Sequence, residues 1–395
     1  MILISGMGIV SALGAGVEKN LSCLLDSRSG IEPIRYLQTV HNCFPAGEVK
    51  LNEDEIRKLL NIKEGKVSTR TSLLGIVALK EALERARLTD RKNLRVAFVS
   101  GTTVGGMDKS EQYYLDFREN DTRNEYIATH DCGACTEMIA DYFGDFNTVT
   151  TISTACSSAA NAITLGANLI KEGKVDIAVA GGSECLSKFH FNGFKTLMIL
   201  DERHCTPFDR DRAGLNLGEG AAYIVLESAT SVERRAVKPL CKLSGYANTC
   251  DAFHQTASSP DGTGAYLAMK QALEEAGLKP DDIDYINAHG TGTNNNDLSE
   301  GKAIMRLFND RIPPVSSTKQ FTGHTTSAAG SVEAVVSILA LLNDFAPENL
   351  NFKNQMEELS FKPITGGVLK RKTDNVLSNS FGFGGNDTTL IFSKI

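Results

Sequence analysis

The chain has 395 residues, of which 42% are hydrophobic and 23% are charged, and its formal net charge is −7. This length and composition are typical of a globular protein with two domains or one large duplicated unit. The negative charge argues against general binding to nucleic acid or an anionic membrane, and no segment approaches the roughly 18 apolar residues of a membrane span.

The N-terminus and the cysteines both predict a cytoplasmic protein. The opening segment MILISGMGIV has no basic residues before its apolar run, so it predicts a buried first strand rather than a secretion signal. The nine cysteines are scattered and odd in number, which indicates reduced thiols. Cys132 and Cys135 form the one close pair, but they lack both the further ligands of a zinc site and a thioredoxin-like context. We therefore expect two ordinary thiols and no metal site.

Two pairs of segments follow the same order of predicted elements. Residues 79–106 have the pattern of a helix, a turn, a buried strand and a Gly/Thr-rich loop, and residues 269–293 repeat that order. Residues 148–170 then predict a strand that runs into a helix of small residues, and residues 313–342 predict another.

This repeat predicts the fold class and the domain organisation. Alternating strands and helices are typical of an α/β protein, and the duplicated order indicates two similar halves. We expect an N-terminal half at residues 1–237 and a C-terminal half at residues 238–395.

Cys156 lies where a β-branched strand is predicted to run into a helix with apolar residues at helical spacing. A thiol at the start of a helix faces unpaired N–H groups and the positive end of the helix dipole, and both favour the thiolate. Cys156 is thus a candidate nucleophile. The alternative is a small core residue, since free cysteine is among the most buried residue types.

Two histidines complement this cysteine. His289 follows an apolar strand in the motif NAHGTGT, and His324 is predicted at the start of the helix that corresponds to the helix after Cys156. Either histidine alone could be an ordinary hydrogen-bonded residue. Together, one half supplies a nucleophile and the other supplies two bases or hydrogen-bond donors, which predicts a single site shared between the halves.

Five motifs, in order, resemble the signature blocks of β-ketoacyl-[acyl-carrier-protein] synthases of the KAS I/II type, which are condensing enzymes of the thiolase superfamily. The motifs are TACSSAANAI, PFDRDRAGLNLGEGAA, NAHGTGTNNND, STKQFTGHTTSAAGSVEA and SNSFGFGGND. The resemblance covers nearly the whole chain. It implies a thiolase-like five-layered αβαβα sandwich built from two duplicated halves. It also implies a dimer, either a homodimer or a heterodimer with a related subunit.

The resemblance implies a decarboxylative Claisen condensation. An acyl chain held on Cys156 would react with malonyl-acyl carrier protein to give 3-oxoacyl-acyl carrier protein, in fatty-acid or polyene/polyketide-type biosynthesis. Backbone N–H groups of Cys156 and Phe383 would form the oxyanion hole, and His289 and His324 would stabilise the enolate. The family binds no cofactor of its own, because the phosphopantetheine arm arrives on the carrier protein.

Five further residues match functional positions of the family. Lys319 and Glu333 would support the site electrostatically. Thr291 and Thr293 would hold the pantetheine arm, together with Phe383. Val104 would line the acyl pocket, where the family commonly has a bulkier isoleucine. The segment THDCGACTEM (residues 129–138) also departs from the family near the dimer interface, where it helps to shape the pocket wall. These two departures, of which the pocket wall counts for more than Val104, lead us to expect a medium-length or conjugated acyl chain.

Three other functions have to be weighed. A chain-length-determining partner subunit of a heterodimeric synthase would lack the nucleophile, whereas Cys156 is present. A coenzyme A-dependent thiolase-type enzyme would usually carry a second catalytic cysteine in place of one histidine. A papain-like hydrolase is disfavoured because its local motif around the cysteine is absent.

The carrier protein is acidic and must approach a chain that is itself acidic. We therefore expect basic residues near the mouth of the active-site tunnel. The segment NIKEGKVSTR offers Lys63, Lys66 and Arg70 as candidates.

Overall fold

The computed structural model describes residues 1–63 and 65–395. The strands in these residues are β1 (Ile2–Ser11), β2 (Gly14–Ala15), β3 (Val96–Gly101), β4 (Thr148–Ile152), β5 (Ile177–Glu184), β6 (Gly220–Ser228), β7 (Cys241–Cys250), β8 (Tyr285–Asn287), β9 (Val315–Ser316), β10 (Phe345–Ala346), β11 (Leu369–Lys370), β12 (Asn375–Gly382) and β13 (Asn386–Ser393).

The helices of the same residues are α1 (Val17–Leu25), α2 (Glu53–Leu59), α3 (Arg70–Arg85), α4 (Met107–Asn120), α5 (Asn124–Ile127), α6 (Cys132–Phe143), α7 (Ser158–Lys171), α8 (Lys188–Thr196), α9 (Ala229–Arg235), α10 (Thr263–Ala276), α11 (Asn294–Phe308), α12 (Lys319–Thr322) and α13 (Ala329–Leu342). Short 3₁₀ helices cover Pro280–Asp282 and Thr326–Ala328.

The strand order is symmetric about the contact between β1 and β7. The sheet path is β4-β3-β5-β6-β1-β7-β13-β12-β8-β9, with β2 paired to β1, while β10 and β11 pair separately. When β2, β10 and β11 are left aside, each half contributes, outward from the centre, its first, fifth, fourth, second and third strands. The pairing also matches, because the two outermost pairs of each half are parallel and the others are antiparallel. The duplication predicted from the sequence is therefore present in the strand order, while the boundary near residue 237 stays a prediction.

Five layers stack in the order helix, sheet, helix, sheet, helix. Helices α7 and α13 contact each other and strands of both halves, so they form the middle layer. Helix α3 covers the outer face of the first half, and α10 covers that of the second half with α11 packed against it. This arrangement confirms the predicted α/β sandwich.

Most of the long strands in each half are buried on both faces, because helices cover them on each side. In β6, Ile224 packs into the central core and its neighbour Tyr223 packs into the outer core under α3. In β13, Leu390 and Ile391 divide in the same way between the central core and the core under α10. The period of two along each strand thus supplies two apolar faces.

Strand ends and short connections place the candidate site residues. Cys156 follows the end of β4 and immediately precedes the first residues of α7, and His289 follows the end of β8. The predicted helix start at His324 is wrong, because His324 lies between α12 and the second 3₁₀ helix, ahead of α13. None of the helices in the described part of the chain has the length and apolar character needed to cross a membrane.

Candidate active site

Cys156 lies at the junction between the two halves. Its Sγ is 3.2 Å from Nε2 of His324, and both side chains are buried. The residue before it, Ala155, has a left-handed backbone with φ of 52°. Such a conformation is unfavourable for a residue with a Cβ and is often kept where function requires it. The thiol of one half therefore meets an imidazole of the other.

Burial dominates the acidity of this thiol. The pKa of Cys156 is raised to about 11 by burial, although Lys319 and the backbone N–H groups of Phe383 and Cys156 itself act to lower it. The sequence argument that a helix start favours the thiolate identified a real influence, but burial is the larger one. Cys156 is thus a protonated thiol at neutral pH, and its reaction as a nucleophile needs a base.

The loop GFGG passes directly over Cys156. A Cβ on Gly382 would lie 2.8 Å from the carbonyl oxygen of Thr154 and 3.3 Å from the backbone nitrogen of Cys156, so this approach requires glycine. After the loop, Oδ1 of Asn386 accepts hydrogen bonds of 2.7 Å from Ser157 Oγ and from Asn161 Nδ2. Asn386 therefore ties the loop of one half to the start of α7 in the other.

The two histidines face each other in an edge-to-face arrangement. Their ring centroids are 5.4 Å apart, with an interplanar angle of 84°. Burial, Lys319 and, for His289, the neighbouring His324 hold both pKa values well below the ordinary value of 6.5. Both imidazoles are therefore neutral at physiological pH, and each can act as a base or as a hydrogen-bond donor.

Lys319 fixes the proton of His289. Its Nζ lies 3.3 Å from Nδ1 of His289, donates a 2.6 Å hydrogen bond to the carbonyl oxygen of His289, and pairs with the carboxylate of Glu333. An ammonium group has only donors, so Nδ1 of His289 accepts and the ring proton is on Nε2. Lys319 and Glu333 are almost fully buried, and burial raises the pKa of Glu333 to about 7 despite the lysine.

We expect Lys319→Met to lower stability more at pH 8 than at pH 6. The change leaves the buried Glu333 carboxylate without its cation, and breaking such a pair costs about 3–5 kcal/mol. Because the pKa of Glu333 is already raised, the carboxyl is protonated at low pH and the penalty grows as pH rises. Thermal melts at both pH values test this. Lys372→Met, at a lysine with 79% of its side chain exposed, is the control.

Glu300 supports the site and was not found from the sequence. Its carboxylate accepts the N–H groups of His289 at 2.9 Å and Gly290 at 2.8 Å, and the side chain of Asn379 at 3.0 Å. Burial raises the pKa of Glu300 to about 7. Its only sequence signal is its place in the helix that follows NAHGTGT, because two of its three hydrogen-bond partners are backbone N–H groups, which almost any residue supplies.

A cavity of about 250 Å³ opens onto these groups. Its wall includes Cys156, Phe194, Leu197, Met198, Ile199, Ala213, Gly214, Leu215, Thr256, Ala257, Ser258, His289, Thr291, Thr293, Asn294, Asn295, Asn296, His324, Phe381, Gly382, Phe383, Gly384 and Gly385. Among the described residues of this wall, Cys156 is the one cysteine, and none is a carboxylate, a lysine or an arginine. Thr291 and Thr293 both line the cavity, with their hydroxyl oxygens 2.8 Å apart.

Not every predicted site residue reaches the cavity. Lys319 and Glu333 lie behind His289 and act on it from outside the wall. Val104 is only 5% exposed and does not line the cavity, so the expectation that it shapes the pocket around Cys156 is not supported in the single chain. Among the residues with described placement, no group of three or more His, Cys, Asp or Glu side chains is arranged to hold a metal ion.

Arg70 cannot serve as the docking residue predicted from the sequence. It is the first residue of α3, is only 8% exposed, and its Nε donates a 2.9 Å hydrogen bond to Glu219. Burying its guanidinium against a carboxylate removes it from the surface that a partner could reach. Lys63 and Lys66 are exposed but do not line the cavity, so their docking role stays a prediction.

Comparison with known protein families identifies the chain. The family model for the Beta-ketoacyl synthase, N-terminal domain matches residues 1–231, and that for the Beta-ketoacyl synthase, C-terminal domain matches residues 240–353. The chain belongs to the β-ketoacyl synthase family. This membership confirms the resemblance drawn from the five motifs.

Individual relatives agree with this assignment over their full length. This synthase is 32% identical over 408 residues to 3-oxoacyl-[acyl-carrier-protein] synthase 2 of Synechocystis sp., covering 100% of this chain and 98% of the relative. The ishigamide ketosynthase/chain length factor structure matches with a TM-score of 0.92 and 28% identity, over 100% and 99% of the two chains. The ketosynthase ApeO of Xenorhabdus doucetiae, solved in complex with its chain length factor ApeC, matches with a TM-score of 0.85 and 30% identity, over 100% and 98%. The shared architecture confirms the thiolase-like fold.

Proposed function

We propose that this synthase joins an acyl chain, held as a thioester on Cys156, to the two-carbon unit of malonyl-acyl carrier protein, with loss of carbon dioxide. The observation that carries this proposal is that one thiol and two neutral imidazoles converge on one cavity. Cys156 lies 3.2 Å from His324, and His289 packs edge-to-face against His324. The name of the Synechocystis relative supports a carrier protein as the substrate.

The first half-reaction loads the acyl chain. His324 takes the proton of Cys156 as the sulfur attacks the carrier-bound thioester, and the backbone N–H groups of Phe383 and Cys156 stabilise the oxyanion. The carbon–sulfur bond to the carrier then breaks, and the departing thiolate receives the proton. This role for His324 follows from the raised pKa of the thiol, which leaves too little thiolate without a base.

The second half-reaction forms the carbon–carbon bond. The Nε2–H of His289, with its tautomer set by Lys319, donates to the malonyl thioester oxygen. His324 donates the second hydrogen bond after its single ring proton has moved from Nδ1 to Nε2. As carbon dioxide leaves, negative charge develops on this oxygen, and each donor stabilises it by about 3 kcal/mol. The resulting enolate carbon attacks the acyl group on Cys156. The 3-oxoacyl product leaves on the carrier, and the released thiolate takes a proton from solvent.

We propose that no bound cofactor takes part. The phosphopantetheine arm enters on the carrier protein, with Thr291, Thr293 and Phe383 along its path, because all three line the cavity in front of Cys156. Malonyl decarboxylation supplies the carbanion, so the reaction needs no redox group or external base. We also place the protein in the cytoplasm, in keeping with nine cysteines that are all free.

We propose a dimer that forms through the free edge of the first half. Strand β4 ends the sheet path and is partly exposed, with Val149 40% exposed. Helix α4 presents exposed apolar side chains, Tyr114, Leu115 and Phe117. An open strand edge and exposed apolar side chains are both suited to pairing with another chain. ApeO was solved in complex with a chain length factor. A related subunit is therefore a candidate dimer partner for this chain, alongside a second copy of the chain itself.

The experiment is reconstitution with defined thioesters. The purified protein is loaded from an acyl-carrier thioester and then given malonyl-carrier, and the products are read by mass spectrometry. We expect an acyl adduct followed by 3-oxoacyl-carrier and carbon dioxide. Formation of 3-oxoacyl product from coenzyme A thioesters alone would instead favour the thiolase-type alternative. An absence of any acyl adduct, also when a partner subunit is supplied, would contradict the proposed function.

A further inference from the structure

A buried aspartate that the reaction does not use lies directly after the GFGG loop. Asp387 is the second residue of β13, where it lies opposite Phe381 of β12 and Thr249 of β7, and it is only 3% exposed. Among the described residues, no cation and no hydrogen-bond donor acts on its carboxyl group. A buried carboxyl group without such a partner is costly to ionise.

A second aspartate crowds the same point. A Cβ on Gly264, in the first turn of α10, would lie 2.2 Å from Oδ2 of Asp387 and 2.8 Å from Cβ of Asp251, which directly follows β7. Oδ2 of Asp251 accepts the N–H of Ser259 at 2.6 Å. Burial, Asp251 and Glu300 of α11 are the influences on Asp387, and together they raise its pKa to about 8. Asp387 is therefore protonated at neutral pH.

The two aspartates lie where two segments of the cavity wall meet. The N–H of Asp251 donates to the carbonyl oxygen of Gly385 at 2.7 Å, and the N–H of Gly384 donates to that of Gln255 at 2.8 Å. Residues 256–258 line the cavity on one side of this junction, and the GFGG loop lines it on the other. A change of charge on either aspartate therefore acts on the loop that passes over the catalytic cysteine.

We propose that Asp387 donates its proton in a hydrogen bond to Asp251, and that this shared proton holds the GFGG loop over Cys156. The inference rests on the proposed function, because the loop carries the N–H of Phe383 that would stabilise the oxyanion. Asp387 is a positioning residue, since it acts through the loop and does not line the cavity. Loss of the proton at alkaline pH leaves two neighbouring negative charges, whose repulsion moves the loop away from the cysteine.

The first test measures stability and needs no substrate. An acid whose pKa is raised by folding destabilises the folded protein progressively as pH rises from the ordinary pKa to the raised one. Asp387→Asn keeps the shape and a donor but cannot ionise. Its Tm should therefore exceed that of the parent protein by a margin that grows by about 3–6 °C between pH 5 and pH 9. Asp310→Asn, at an exposed aspartate, is the matched control and should show no such growth.

The second test measures the loading of Cys156 from a free acyl-pantetheine thioester at pH 7 and pH 9. With a pKa of about 8, Asp387 is about nine-tenths protonated at pH 7 and about one-tenth protonated at pH 9. The loading rate of Asp387→Asn divided by that of the parent protein should therefore rise about ten-fold from pH 7 to pH 9. The ratio cancels the titration of other groups. Asp387→Leu, which has neither the donor nor the charge, should load slowly at both pH values.

Each result decides the proposal. A Tm margin that is the same at pH 5 and pH 9 would overturn the shared proton. A growing Tm margin with a constant ratio of loading rates would show that Asp387 titrates without positioning the loop, and would also overturn the inference. If the parent protein forms no acyl adduct at any pH, the proposed function fails, while the Tm margin still reports the shared proton. The two failures are therefore distinguishable.

Discussion

Cys156→Ala should abolish acyl loading and condensation, with a loss of roughly 10⁴-fold or more, as for other covalent nucleophiles. The expectation follows from the position of the thiol, 3.2 Å from an imidazole and facing the N–H groups of Phe383 and Cys156. No other cysteine lines the cavity wall as described, so no second thiol can substitute. Intact-mass analysis after incubation with an acyl-carrier thioester measures the loss directly.

The control is Cys132→Ala at a half-buried thiol outside the cavity wall, which should retain loading. Cys156→Ala should also keep the fold, because alanine is smaller than cysteine and the described thiol loses one side-chain hydrogen bond, to His324. An acyl adduct that maps to Cys132 or Cys185 while Cys156 is unmodified would show that the nucleophile has been misassigned.

His289→Ala and His324→Ala should impair malonyl decarboxylation more than acyl loading. Charge develops on the malonyl oxygen only after the chain is loaded, and removal of one such donor costs about 10²–10³-fold. His289→Ala should leave loading nearly intact, because His289 does not contact the sulfur. His324→Ala should also slow loading, since His324 is the base nearest to the thiol. Single-turnover measurements of each half-reaction separate these effects.

The pH dependence provides a second readout. Both histidine pKa values lie well below 6.5, so both rings stay neutral between pH 6.5 and 8 and protonate only at lower pH. Protonation of the two histidines should therefore leave decarboxylation in the parent protein unchanged over this range and should lower it only at more acidic pH. His204→Ala, at an exposed histidine, is the control. Normal decarboxylation in both cavity variants would contradict the assigned roles.

The structure changes our view of which residues select the acyl chain. The sequence led us to expect that Val104 shapes the pocket, yet Val104 is buried and is not among the residues that line the cavity. The aromatic rings that do line the cavity are Phe194, Phe381 and Phe383, and Phe194 stacks on Phe383 at 5.9 Å. A medium-length or conjugated chain stays our expectation, and these rings are the better candidates for selecting it.

The sequence by itself determined the features that depend on local pattern. Strand periodicity and small-residue helices predicted two α/β halves, and strand-to-loop transitions singled out Cys156 and His289. Such patterns are contiguous in the chain, because each element must bury its own apolar residues wherever it finally packs. The motifs around Cys156, His289 and His324 are also contiguous in the chain. They therefore indicated one shared site before any contact between these residues was known.

Only the tertiary structure decided how each polar group is paired and how deeply it is buried. Arg70 looked like a surface cation, but it pairs with Glu219, which lies 149 positions away in the chain. Glu300 holds His289 through backbone N–H groups, and burial raises the pKa of Cys156 to about 11 although the helix start favours the thiolate. The physical reason is that desolvation and ion pairing depend on every neighbour in space, and most of those neighbours are far apart in the sequence.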